Sequence, residues 1–339
     1  MQPSISLLVA SNVLLILIAG VSSYLVTTIS PSTQQKYAKA FGQKAEGHND
    51  LFYPEPDHPI PYKLPFTWDE RNHYYEKRVN GSENGYYRRS SCPAVNALAN
   101  RGYINRSGRN ISFEEIAQAT RVVWNFGDDN ILVVLEPTRR HHSGVDRINL
   151  DMLADDAVQY DTNCPAAPTR NDRELGDNVN MNMTLFKQLL SASKDGETLT
   201  LEDAAEHHHR RHNDSKLRNP EFRFGNQGAI CSLAQYGNMF GVLGRMGRHG
   251  LNTLYVEDVE KFYLDDDWPV GYARRELPFY SPEANSYIDR MAYHLGYEIQ
   301  RPYPAGDKDK GVDIEPETAR FQLSDEVSSE RNDKEWSEL

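Results

Sequence analysis

Positive charge is in short supply in this chain. Against 49 Asp and Glu there are 37 Lys and Arg, a formal net charge of -12 at pH 7. A face for a phosphate backbone needs clustered cations, so the composition argues against a nucleic-acid partner and for a well-solvated body. Long apolar runs are scarce too. Only one segment, near the N-terminus, is uncharged over the roughly 20 residues that a bilayer-spanning helix requires, which excludes a multispanning protein. No internal repeat is visible. Cysteine is limited to Cys92, Cys164 and Cys231, too few for a disulfide-built scaffold. In an oxidising compartment an odd count leaves one thiol over; a Cys164 to Cys231 bridge and three separate thiols both remain open.

What is present divides the chain into four parts. Residues 1–29 contain the apolar run Leu7 to Val26, read as an uncleaved single-pass membrane anchor because Met1 to Ser6 carry no Lys or Arg; a cleaved signal peptide, leaving a secreted protein, is the alternative. Asn80, Asn105, Asn110, Asn182 and Asn213 open potential glycan acceptor sequons and argue for a lumenal or extracellular glycoprotein body, while Lys36, Lys39 and Lys44 argue the other way. Residues 30–61, with Pro54, Pro56, Pro59 and Pro61, cannot continue a helix and form a linker. Residues 62–300 make the body. Residues 301–339 alternate charge with few large apolar side chains and read as a disordered, flexible tail.

Within the body the fold class is mainly α. Ser112 and Glu115 have capping-box spacing ahead of Ile116 and Ala119; Leu185, Phe186, Leu189 and Leu190 share a helical face; Thr200 caps a helix through the His-rich run; Val256, Val259 and Phe262 mark another; Pro282 starts a last one.

The chemistry concentrates at Cys92. Pro93 suits the first helical position, the stretch from Ala94 to Arg101 carries two turns, and Gly102 supplies a left-handed stop. Cys92 is then the N-cap, with its sulfur facing the free amides of Ala94 and Val95 at the positive helix end, which favours the thiolate. On local geometry alone a buried or disulfide cysteine ahead of a proline-started helix explains this stretch equally well.

Cys92-Pro93-Ala94, Asn96 to Asn100, Gly102-Tyr103 and Ser107 to Ile111 resemble the proximal segment of the heme-thiolate peroxidases, the chloroperoxidase and unspecific peroxygenase family, peroxidase family 2. Asn149 to Ala154, Tyr160-Asp161, Thr169 to Asp172, Leu175 to Asn178, Met183 to Phe186, Asn219-Pro220 and Phe222 follow the family's order. The resemblance spans about residues 62 to 275. It implies a single chloroperoxidase-like helical domain enclosing heme b, with Cys92 as axial iron ligand and Ala94 and Val95 at the cofactor, and it implies hydrogen peroxide and a small organic molecule as substrates.

Three places depart from the family. The glutamate that shuttles the peroxide proton falls on Gln235, which orients but cannot act as a base; Glu221 is the nearest alternative carboxylate. Leu233, Tyr236 and Phe240 would line the pocket. Where relatives bind a divalent cation, Gln159 to Asn163 offer weaker ligands, so an additional magnesium or manganese is not expected, and Asp161 would instead cap or pair with Arg170. Ser91 replaces a proline. His207 to His212 place His208 and His212 one turn apart, but with Arg210 and Arg211 alongside they read as a solvated helix face rather than a metal site. These features together point to a peroxide-using oxidoreductase of fungal-type secondary metabolism that oxidises, oxygenates or couples a small organic substrate. The alternatives are a heme-dependent isomerase or cyclase and a non-catalytic relative.

Overall fold

The computed structural model describes residues 63–154, 165–246 and 252–299. Among them helices dominate: α1 Pro93–Asn100, α2 Phe113–Trp124, α3 Asp128–His141, α4 Met183–Leu190, α5 Leu201–Arg218, α6 Asn226–Leu243, α7 Val256–Asp265 and α8 Ser281–Leu295. Strands are two to four residues long and form small antiparallel patches: β1 Lys63–Pro65 with β7 Ala273–Arg275, β2 Ile111–Ser112 with β3 Arg147–Ile148, and β6 Asn252–Tyr255 between β4 Thr198–Leu199 and β5 Arg245–Met246.

The helix starts follow the sequence logic. Ser112 and Thr200 each form a complete capping box, with Glu115 and Asp203 as the returning carboxylates. Asn182 caps α4 by accepting from the amides of Thr184 and Leu185. Pro282 sits in the first turn of α8, whose inner face buries Tyr287, Ile288, Met291 and Leu295. Apolar burial of this kind supplies the main driving force.

The helices gather in two groups. In the first, α1 packs on α2 and α7; in the second, α6 packs on α8 and α5, with α3 bridging α2 and α8. The second group closes tightly because Gly241 on α6 meets the Phe279 ring: a Cβ there would lie 2.3 Å from Cζ. Beside that contact the buried Arg275 donates to Glu283 at 2.9 and 2.6 Å and to the Gly241 carbonyl at 3.2 Å, tying β7, α8 and α6 together.

The expectation of a single-pass membrane protein is corrected. No helix among the described residues is long and apolar enough to cross a membrane. The two longest, α5 and α6, have 18 residues each; charged side chains from Glu202 to Arg218 stud α5, and Asn226, Gln235 and Asn238 interrupt α6. The run Leu7 to Val26, the linker and the charged tail lie outside the described residues.

Candidate active site

Cys92 is the N-cap of α1, with extended backbone at φ -90° and ψ 110° and Pro93 following in the first turn. Cys92 and Ala94 stay partly open while Val95 and every residue to Asn100 are buried. Gly102, at φ +70°, ends the helix, and the Tyr103 amide returns to the Leu98 carbonyl at 2.8 Å. Two asparagines one turn apart hold this turn. Asn96 exchanges hydrogen bonds with the Ser90 backbone, accepting at 2.8 Å and donating at 2.9 Å, and donates to Asp266 at 3.2 Å. Asn100 accepts from the Arg89 guanidinium at 2.7 and 3.1 Å and donates to the Asp266 carbonyl at 3.1 Å. The Cys92 amide itself donates to Ser90 Oγ at 2.8 Å, so the replaced proline costs the turn little. The i, i+4 spacing of the two asparagines on a mostly buried helix is the pattern that marks this bracing role.

Cys92 is a free thiol, and Cys231 is disulfide-bonded; Cys164 lies outside the described residues. Burial pushes the Cys92 thiol up, and Asp266 adds to that; the Val95 and Ala94 amides and the Arg170 charge pull it down without prevailing. No amide completes a hydrogen bond of full geometry on the sulfur, so the pull is that of aligned dipoles rather than of a formed cap. A thiol held this way ionises when a metal supplies the missing positive charge.

Nearby charges are sparsely compensated. Arg170 is buried and, among the described residues, donates to the neutral oxygens Val179 O at 3.0 Å and Thr169 Oγ1 at 2.6 Å; its guanidinium lies 5.9 Å from the Tyr263 ring centroid. Burial lowers its pKa, and that of Arg89 to about 10. Asp266, at φ 48°, is raised to about 6 by burial, and its Oδ1 has no hydrogen-bond partner. Asp161, the expected partner of Arg170, lies with the rest of the Gln159 to Asn163 stretch outside the described residues.

On α6, beyond the partly open Asn226 in its first turn, four partly open positions form one stripe, Cys231, Ala234, Gln235 and Asn238, at i, i+3, i+4 and i+7. The helix contains no Asp, Glu, Lys or Arg, so no change of register places a carboxylate on it. Glu221 is exposed in the turn ahead of α6. Asn238, one turn beyond Gln235, shares the partly open stripe.

Two expectations are corrected here. Leu233, Tyr236 and Phe240 do not share the open stripe: all three are fully buried on the opposite side, where Tyr236 meets α5 and Phe240 stacks on Tyr287 of α8 at 6.0 Å. The His-rich run is not a solvated face either. His207, His208, Arg211 and His212 are at most 1% exposed. His207 Nδ1 pairs with Tyr236 Oη at 2.8 Å and His208 Nε2 with Ser232 Oγ at 2.8 Å, fastening α5 to α6. Burial drives both imidazoles to the neutral form, His207 down to about 3. Arg211 points inward to Ala167 O at 3.0 Å and to Asp172 at 3.7 Å, and Asp172 also accepts from Asn219 at 3.0 Å, which joins the Thr169 to Asp172 stretch to Asn219-Pro220. Polar composition does not reveal this inward face, because α5 packs among neighbours that offer its His and Arg side chains polar partners.

A cleft of about 630 Å³ lies elsewhere, between the start of α2 and the end of α3, lined by residues that include Phe113, Glu136, Arg139 and His142. It contains neither Cys92 nor Gln235 and has no part in the site.

The donor set suits a thiolate-ligated iron: a free cysteine at a helix N-terminus, left partly open beside a braced turn, with a buried cation near the sulfur. Two comparisons with known proteins bear on this. The model of the family described as "Peroxidase, family 2" matches residues 73–277. An aromatic peroxygenase from Coprinellus radians is 27% identical over 261 residues, which cover 69% of this chain and 96% of that protein.

Proposed function

The chain belongs to peroxidase family 2, and from that premise we propose that it is a heme-thiolate oxidoreductase in which Cys92 ligates the iron of heme b. It uses hydrogen peroxide to oxidise, oxygenate or couple a small organic molecule, in fungal-type secondary metabolism. The observation that carries the proposal is Cys92 itself, the free N-cap thiol of α1. When bound, the heme supplies an iron that takes up peroxide and, pushed by the thiolate, favours O–O cleavage.

The chain's own residues do the rest. Ala94 and Val95 amides aim partial positive charge at the sulfur and steady its anionic form. Asn96 and Asn100 fix the turn so that the sulfur keeps its direction. From α6, the Gln235 carboxamide would accept a hydrogen bond from one peroxide oxygen and donate one to the other. It orients the oxidant but holds no proton, so the proton passes by another carrier and turnover is slower than with a carboxylate.

The absence of any acid on α6 favours a second reading, a heme-dependent isomerase or cyclase that does not consume peroxide. Product analysis on phenols and other aromatics with peroxide as the only variable separates the two. Peroxide-dependent products support the first; the same products without peroxide support the second. A chain that takes up no heme rejects both.

A further inference from the structure

We propose that Trp268 and Trp68 conduct electrons between the Cys92 helix and the protein surface, and that Trp68 is a second oxidation site for phenols or aromatic amines too large to reach the interior. The inference rests on the heme reading above.

Three indoles stand in a row. Trp124 and Trp268 lie with ring centroids 6.0 Å apart, Trp268 and Trp68 5.3 Å apart. The first two are 1% exposed, while Trp68 is partly open to solvent. Trp268 reaches the C-terminal end of α1: Arg101, the C-cap of that helix, has its guanidinium 4.8 Å from the Trp268 ring and 5.1 Å from the Trp68 ring. Eight helical residues separate that end from Cys92, a span of about 12 Å. The Arg101 charge would oppose a positive hole on either ring, but Asp267 offsets it through hydrogen bonds of 2.9 and 2.8 Å, and Glu70 stands 3.6 Å away.

Packing alone accounts for an aromatic cluster but not for its polarity. Nε1 of Trp124 and of Trp268 has no hydrogen-bond partner, a cost of roughly 1–3 kcal/mol each that phenylalanine would avoid. At the exposed end the pattern reverses: Trp68 Nε1 donates to Glu70 Oε1 at 2.6 Å. An oxidised indole without a base keeps its proton and passes the hole on. One hydrogen-bonded to a carboxylate loses the proton and traps it. The three rings therefore set a direction, outward to Trp68.

The chemistry balances with peroxide as oxidant. With heme bound and peroxide as the oxidant, Trp68 would give up one electron by way of Trp268, and its Nε1 proton would pass to Glu70. The neutral indolyl radical takes a hydrogen atom from a phenol ArOH, giving ArO•, and Glu70 returns its proton to solvent. Two such cycles consume one hydrogen peroxide with two electrons and two protons, yielding two waters and two ArO•.

The test exposes the heme-loaded full chain to one equivalent of hydrogen peroxide without reductant and maps oxidised tryptophan by peptide mass spectrometry, with electron paramagnetic resonance on frozen samples. The expected result is an indolyl signal and oxidation concentrated at Trp68. Trp268→Phe should cut Trp68 oxidation at least tenfold with the heme spectrum unchanged. Glu70→Gln, a surface change that leaves the ring packing alone, should weaken the neutral radical signal. Equal oxidation of Trp68 in the Trp268→Phe variant, in the heme-free chain, or in neither case above background overturns the conduit. A heme-loaded chain with intact Trp68 overturns this inference alone; a chain that takes up no heme overturns the reading beneath it as well.

Discussion

The Cys92 turn and helix α6 are held in opposite ways. Around Cys92 the restraints are local and polar: a proline start, a glycine stop and two asparagines that bind the flanking backbone. On α6 the restraints come from distant elements, through buried histidines of α5 and the Gly241 contact with Phe279. A site built from neighbours in sequence keeps its signature in sequence; one built from tertiary partners does not.

The sharpest way to break the comparison is Gln235→Glu, which returns a carboxylate to α6. Of the roughly 10²–10⁴-fold that general acid–base catalysis contributes, we expect a rise of about 10- to 100-fold in peroxide-dependent turnover, measured by steady-state kinetics on a phenol. An unchanged rate would move the distal role to Asn238. Next in size is Asn100→Ala, which strips the buried Arg89 guanidinium of its acceptor; it should lower unfolding stability by about 2–3 kcal/mol, read from urea titration, and reduce heme retention in parallel.

Acid provides a gentler probe of the α6 side. His207 falls from an ordinary 6.5 to about 3 in the folded chain, so its contribution is present above pH 6.5 and is lost as pH falls from 6.5 toward 3. Asp266, raised from 3.8 to about 6, has the opposite sign: its contribution is full below 3.8 and is lost as pH rises through 6. His207→Gln keeps an acceptor for Tyr236 and removes the titration, so its melting temperature should fall less than that of the parent between pH 6.5 and 4. The smallest effect is expected from Glu221→Gln, an exposed position: within about 0.5 kcal/mol in stability and no change in turnover.

Most of the fold was legible where local rules decide. The Ser112 capping box, the Thr200 cap, the Pro93 and Pro282 starts and the apolar faces of α4 and α7 all stand where the residues indicated. The N-cap position of Cys92 was legible for the same reason, though its sulfur forms no cap hydrogen bond, and the family resemblance is upheld by the match over residues 73–277. The inward course of α5 was not legible. Its run of His and Arg resembles a solvated face, and only the presence of Tyr236 and Ser232 opposite explains why burial is tolerated. Nor were the roles of Asn96 and Asn100, whose partners Arg89 and Asp266 come from segments that sequence order alone does not bring together. The membrane expectation failed differently, because it rested on Leu7 to Val26 while no described helix can cross a bilayer.

The ferrous carbon monoxide spectrum of the heme-reconstituted full chain, recorded beside Cys92→Ala, tests the central claim most directly. A sulfur-ligated iron gives a strongly red-shifted Soret band in the parent, and the substitution abolishes it. An unshifted band in the parent, or a red-shifted band that survives in Cys92→Ala, contradicts the assignment of Cys92 as the iron ligand.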